Sequence, residues 1–141
     1  MKLKRFVAFV FLIHLSLAAF SQMSGDTINR TDDKGRKQGY WKKLNEDGVL
    51  KYEGTFINDT PSGNFIYYFP DGVVKARSTF YNEGKNSQTT TYHHTGKPMS
   101  EGFYCGQDKD SLWKYYNSEG VQVKEEFYRN KLKEGVWKIF Y

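Results

Sequence analysis

The sequence predicts an all-β protein: a single-layer, twisted antiparallel β-meander assembled from β-hairpin repeats of about 24 residues. Three observations carry this. Gly48, Gly72, Gly96 and Gly120 recur every 24 residues, as do Gly39, Gly63, Ser87, Ser111 and Gly135. Aromatic residues recur at the same period, in the columns Trp41, Phe65, Thr89, Trp113, Trp137 and Phe56, Phe80, Tyr104, Tyr128. No stretch beyond the first 21 residues has helical periodicity. A fixed period with glycine and aromatic columns is the mark of a repeat array.

Each unit reads as one hairpin. A short first strand, such as 40–45 or 112–117, is rich in aromatic and β-branched residues. A tight turn follows at NEDG, FPDG, HHTG or NSEG, closed by a glycine where a left-handed backbone is needed. The second strand is longer, as in 49–57 or 73–81, and a looser link such as NDTPSG opens the next unit. Nine strands are expected from residue 40 onward, preceded by one short strand near 27–31. Alternation along the strands puts aromatics on both faces, so the expectation is a sheet without one dry face or a shared core. The third unit departs most: Thr89, Thr90 and Thr91 replace aromatics, and Pro98 falls in its second strand, where a ladder donor is lost. The array is expected to be loosest there.

Three segments precede or make up this array. Residues 1–21 join a cationic start, MKLKR, to a short apolar run ending in Ala19, Phe20 and Ser21, the order of a secretory signal peptide. A membrane anchor is the alternative; His14 and Ser16 interrupt the run, which is short for spanning. Residues 22–34 form a linker and 35–141 the array of about four and a half repeats. Lys2, Lys4 and Arg5 leave with the signal, so 21 basic and 16 acidic residues become 18 and 16, a net charge of +2. Lys and Glu alternate instead of forming a basic stripe, so no nucleic-acid partner is expected, and the pull toward anionic lipid is weak. The expected location is periplasmic or secreted.

Units with G-x-W-x-x-Y, a D-G or E-G turn and a strand ending in E-x-x-(F/Y) resemble the bacterial variant of the MORN repeat. The matching residues are Gly39, Trp41, Leu44, Gly48, Glu53 and Phe56, and again Trp113, Tyr116, Gly120, Glu125 and Tyr128. The resemblance spans residues 35–141. It implies interaction through a hairpin array and no chemistry. Some proteins of this type are YwqK-type antitoxin components of toxin–antitoxin modules, so a toxin is one partner class the resemblance implies.

No catalytic, cofactor or metal site is expected. Cys105 has no second cysteine to pair with. His93 and His94 sit in a turn without further ligands at metal spacing. No serine lies in a nucleophile elbow. Glu53, Glu101 and Glu125 share a column with Arg77, which reads as a solvated row discouraging edge pairing; an acid/base pair is the sharper alternative. Tyr67, Tyr81 and Tyr115 are candidates to stack on a glycan or a base, with shielding of the sheet as the plainer role. Two functions follow. The first is a non-catalytic exported module that binds a protein or acts as an envelope scaffold. The alternative is an antitoxin or immunity-like protein that neutralises a toxin. The candidate partner-binding residues are Val136, Trp137, Ile139, Phe140 and Tyr141, on a terminal strand expected to form an open edge.

Overall fold

The structure, a computed structural model, describes residues 27–140, with the side chain of Val136 excepted. The expected signal peptide and Tyr141 lie outside the described residues.

Ten strands follow one another in sequence and in space. They are β1 (Arg30–Thr31), β2 (Lys37–Leu44), β3 (Leu50–Ile57), β4 (Thr60–Tyr68), β5 (Val74–Tyr81), β6 (Asn86–Tyr92), β7 (Pro98–Cys105), β8 (Asp108–Tyr116), β9 (Gln122–Arg129) and β10 (Leu132–Ile139). Each pairs antiparallel with the next in a single sheet of order β1 to β10, the expected meander of nine strands behind one short strand. Gly48, Gly72, Gly96 and Gly120 close the hairpin turns at φ of 79°, 86°, 82° and 84°. Each of these amides bonds the carbonyl three residues earlier, as in Gly72 N–H to Phe69 O at 2.9 Å. That is a type I turn followed by a left-handed residue, the three-residue hairpin loop.

Three of the four links between units differ from the sequence expectation and are tight; the link between β5 and β6 is the loose one expected, with Asn82, Glu83 and Gly84 all at positive φ. Asn58 and Asp59 (φ 52° and 66°) and Asn130 and Lys131 (φ 50° and 69°) form two-residue turns with both central residues left-handed. Between β7 and β8, where Asn is missing, Gly106 takes φ 64° and Gln107 does not follow it into the left-handed region. The residues read as loose link instead extend the next strand, so β4 and β8 are nine residues long. They contain a bulge: Gly54 opposes Phe65 while Thr55 opposes Ser62, and Glu101 opposes Lys114 while Phe103 opposes Asp110. Gly63 and Ser111 sit at positive φ inside these bulges, as does Gly135 in the matching bulge of β10. A bulge of this kind lets the strand hold more residues than its partner and aims the next side chain. Pro98 is also placed differently from the expectation. It is the first residue of β7, opposite Tyr92 at a register shift, where a missing donor is tolerated.

The largest correction concerns the two faces. Among the described residues, every buried one lies on a single face: Gly54, Phe56, Phe65, Ser78, Ser87, Thr89, Ser100, Gly102, Trp113 and Glu126. The pairing joins most of them into one row across the sheet: Trp41 opposes Gly54, Gly54 opposes Phe65, Phe65 opposes Ser78, Ser78 opposes Thr89, Thr89 opposes Gly102, and Trp113 opposes Glu126, with the Trp113 ring laid against Gly102 at the bulge between them. Alternation counts residues per face but not how flat they lie. An aromatic ring laid over a neighbouring glycine buries itself without a second layer. A Cβ on Gly54 would stand 2.6 Å from Phe65 Cδ1, and one on Gly102 would stand 2.6 Å from Trp113 Cγ.

Two aromatic clusters occupy this face. Trp41, Tyr52, Phe56, Phe65, Tyr67 and Phe80 form the first, with edge-to-face contacts of 5.1 Å from Phe65 to both Phe56 and Phe80. Tyr104, Trp113 and Tyr115 form the second, with Tyr104 edge-on to Trp113 at 4.9 Å. Between them runs a seam of buried hydroxyls. Ser78 Oγ and Thr89 Oγ1 lie 2.7 Å apart, as do Thr91 Oγ1 and Ser100 Oγ.

Candidate partner-binding edge

Among the described residues, β10 pairs with β9 on one side only. Its register repeats that of β8 on β7: Glu125 opposes Lys138, Phe127 opposes Glu134, and the bulge between carries Gly135 at φ 80°. Trp137 therefore occupies the place of Trp113, but with a neighbour on one side. The consequence is large. Trp113 is 1% exposed, whereas Trp137 is 53% exposed, with Leu132, Ile139 and Phe140 exposed beside it. Of the sequence-predicted edge residues, Trp137 and Ile139 lie on β10, and Phe140 follows it with its amide donating to Val123 O at 3.0 Å. The side chain of Val136 and all of Tyr141 lie outside the described residues.

Behind Trp137 sits a feature the sequence reading missed. Glu126 holds the column of Gly54, Ser78 and Gly102, yet it is 3% exposed. Burial pushes its carboxyl upward, and the donors around it outweigh that push, leaving it at about 2. Lys133 Nζ donates at 2.6 Å, the Tyr115 and Tyr128 hydroxyls at 2.8 Å each, and Lys124 Nζ stands at 3.1 Å. Lys133 also lies over the Trp137 ring, 4.7 Å from its centroid, so the buried carboxylate fixes the lysine that shields the exposed tryptophan. Lys109 caps Trp113 at 4.5 Å and Lys37 caps Trp41 at 5.3 Å. The signal was present in the sequence, because Lys37, Lys109 and Lys133 keep the 24-residue period.

The opposite edge is covered. β1 lies on β2, and the Trp41 indole donates to Arg30 O at 3.1 Å and Gln38 O at 3.2 Å. Asn29 adds a further cap, its side-chain carbonyl accepting from Lys42 N–H at 2.7 Å.

The remaining candidates are structural pieces of the sheet. The glutamate column is not the solvated row expected. Glu53 accepts from the Tyr68 hydroxyl at 2.5 Å and the Tyr40 hydroxyl at 2.7 Å, and these bonds hold its carboxyl below the ordinary range. Glu101 accepts from Tyr116 at 2.6 Å. Sequence alternation missed these pairs because each tyrosine reaches diagonally, 13 or 15 residues along the chain. His94 stacks on Phe69 and bonds Asp71 at 2.8 Å, and His93 Nε2 lies 3.1 Å from Tyr116 O, so both tie neighbouring hairpin turns together. Among the described residues no group of three His, Cys, Asp or Glu side chains could hold a metal. Tyr67 and Tyr115 are half-buried in the two clusters, and Tyr81 is 38% exposed.

No protein-family model matches this chain, and no curated protein or solved structure is significantly similar to it.

Proposed function

We propose that this chain is a non-catalytic interaction module, a MORN-like hairpin array exported to the periplasm or beyond, that docks a protein partner along β10. One observation carries the proposal. The same repeat position is 1% exposed at Trp113 and 53% exposed at Trp137, beside a strand whose outer side carries no neighbour among the described residues. An open strand offers main-chain bonds to an added strand, and exposed aromatic and aliphatic side chains supply the apolar contact. The partner is an envelope protein; the alternative, a toxin that the chain neutralises, is motivated by the MORN resemblance alone.

Crosslinking from position 139 in the native cell envelope, followed by hydrogen exchange of the chain with the recovered partner, tests this. The amides of residues 137–140 gain protection on binding. Protection confined to the faces of β4–β8 would overturn the proposal.

A further inference from the structure

On the face opposite the aromatic clusters, one strand breaks the charge pattern of the repeat. Positions 53, 77, 101 and 125 form one column and hold Glu, Arg, Glu and Glu. Positions 51, 75, 99 and 123 hold Lys, Lys, Met and Val. Residues two apart on a strand share a face, so β5 alone of these four strands presents two cations together, Lys75 and Arg77. In the flanking units a tyrosine answers the glutamate. The Tyr68 hydroxyl donates to Glu53 at 2.5 Å and the Tyr116 hydroxyl to Glu101 at 2.6 Å, each reaching 15 residues back. Tyr92 follows Arg77 by the same 15 residues. Arg77 opposes Thr90 just as Glu53 opposes Ile66 and Glu101 opposes Lys114, so Tyr92 stands on the same diagonal. A guanidinium holds the place of its acceptor, and the Tyr92 hydroxyl has no hydrogen-bond partner among the described residues.

A cleft of about 250 Å³ opens beside Lys75, between the hairpin turns at 45–48 and 69–72, walled by Leu50, Lys51, Tyr68, Phe69 and Pro70. Among the described residues no carboxylate lies within 4.0 Å of the Lys75 or Arg77 nitrogens. The carboxylates nearby are held by other groups: Glu53 by Tyr40, Tyr68 and Lys42, and Asp71 by His94. Glu46 and Asp47 share a separate hollow with Lys51. We propose that this face of β5 binds an acidic peptide segment. One carboxylate lies between Arg77 and the Tyr92 hydroxyl, a second lies at Lys75, and an adjacent apolar side chain enters the cleft. The first carboxylate completes the tyrosine–carboxylate bond that the flanking units make internally, and a guanidinium adds paired charged hydrogen bonds. An extended peptide repeats its side chains on one face every second residue, the spacing of Lys75 and Arg77. A sugar would need an open ring to stack on, but Phe69 is stacked on His94 at 4.2 Å and has Lys75 over it at 5.8 Å. An anionic membrane would gain only about 1 kcal/mol per cation, too little for so few. The site is separate from β10, which lies five strands further along the sheet.

The test is an NMR titration of the full chain with a peptide Leu-Ser-Glu-Ser-Glu, capped at both ends, and with its copy carrying Gln for Glu. The first peptide should shift the Arg77 Nε–H and Tyr92 ring signals, and the Gln copy should bind about tenfold or more weakly, the scale of a lost charged hydrogen bond. Arg77→Glu should lose the peptide by a similar factor while its melting temperature holds or rises, because Tyr92 then regains the acceptor that Tyr68 and Tyr116 have. That pairing of results separates loss of the site from loss of the fold. Equal binding of the two peptides, or no shift at about 1 mM of the first, would overturn the inference. So would a lower melting temperature for Arg77→Glu, which would deny that Tyr92 reaches position 77. Tighter binding of oligogalacturonate or of phosphatidylglycerol vesicles than of the peptide would assign the cations to an acidic glycan or a lipid surface and overturn the peptide assignment.

Discussion

Between equivalent repeat columns, Phe80 to Thr89 and Tyr104 to Trp113, the chain has the same length, yet the β5–β6 and β7–β8 junctions are built in two different ways. At β7–β8 the link is two residues, and the remainder forms a bulge that lifts Trp113 over Gly102. At β5–β6 there is no bulge: Ser78 faces Thr89, Thr79 faces Gln88 and Tyr81 faces Asn86 in unbroken register. The residues released go into a longer link, where Asn82, Glu83 and Gly84 all take positive φ. The bulge accompanies the aromatic. Thr89 is too short to reach over a neighbouring strand, and it packs against Ser78 by a hydrogen bond instead. One period thus accommodates an apolar unit and a polar one without breaking the sheet.

The buried and the edge copies of the tryptophan column should respond very differently to truncation. Trp113→Ala removes a fully buried ring from the apolar unit and should cost about 3–5 kcal/mol. Trp137→Ala, the same column on the open edge, should stay within about 0.5 kcal/mol. Urea denaturation of both variants checks the ratio.

Next in size is the buried carboxylate of the last unit. Glu126 titrates at about 2 in the folded chain against an ordinary 4.5. Its stabilisation is therefore complete above about pH 4.5 and is lost as pH falls toward 2, on the order of 3 kcal/mol. Glu126→Gln should flatten the acid limb of the stability profile. A wild-type profile that is level between pH 5 and 2 would deny the carboxylate this role.

Gly120→Val should cost about 1 kcal/mol or more, because φ 84° is poorly tolerated by a β-branched residue. A melting curve unchanged by the substitution would contradict that. Ser78→Ala in the seam should cost about 1 kcal/mol, since Thr89 Oγ1 keeps only the 3.5 Å contact to Ser87. A loss as large as that of Trp113→Ala would erase the distinction between polar and apolar units.

Much of the architecture is legible in the sequence. The period, the turn glycines and the strand count follow from column spacing, because hairpins with short connections pair with their neighbours. The division between bulge and link is not legible. NDTPSG and NEGKNS occupy the same six positions, yet one forms a tight turn with a bulged strand and the other a long link with a regular strand. The aromatic two residues later goes with the bulge: Phe65 follows NDTPSG, where Thr89 follows NEGKNS. The buried face was missed because counting apolar residues gives no credit to Gly54 and Gly102, which bury aromatics by having no side chain of their own. Glu126 was missed for the converse reason: a charged residue in a glycine column reads as exposed until its four donors are placed around it. The exposed edge at Trp137 was legible, because the last strand has no second neighbour among the described residues.

The aromatic-over-glycine pairing is tested most directly by a double-mutant cycle between Gly102 and Trp113, read by urea denaturation. Gly102→Ala alone should cost about 2 kcal/mol or more, because its Cβ would stand 2.6 Å from Trp113 Cγ. In the Trp113→Ala background the same change should cost almost nothing, a coupling of about 1–3 kcal/mol. An equal cost in both backgrounds would contradict the account, because the glycine would then be serving its own backbone and not the ring above it.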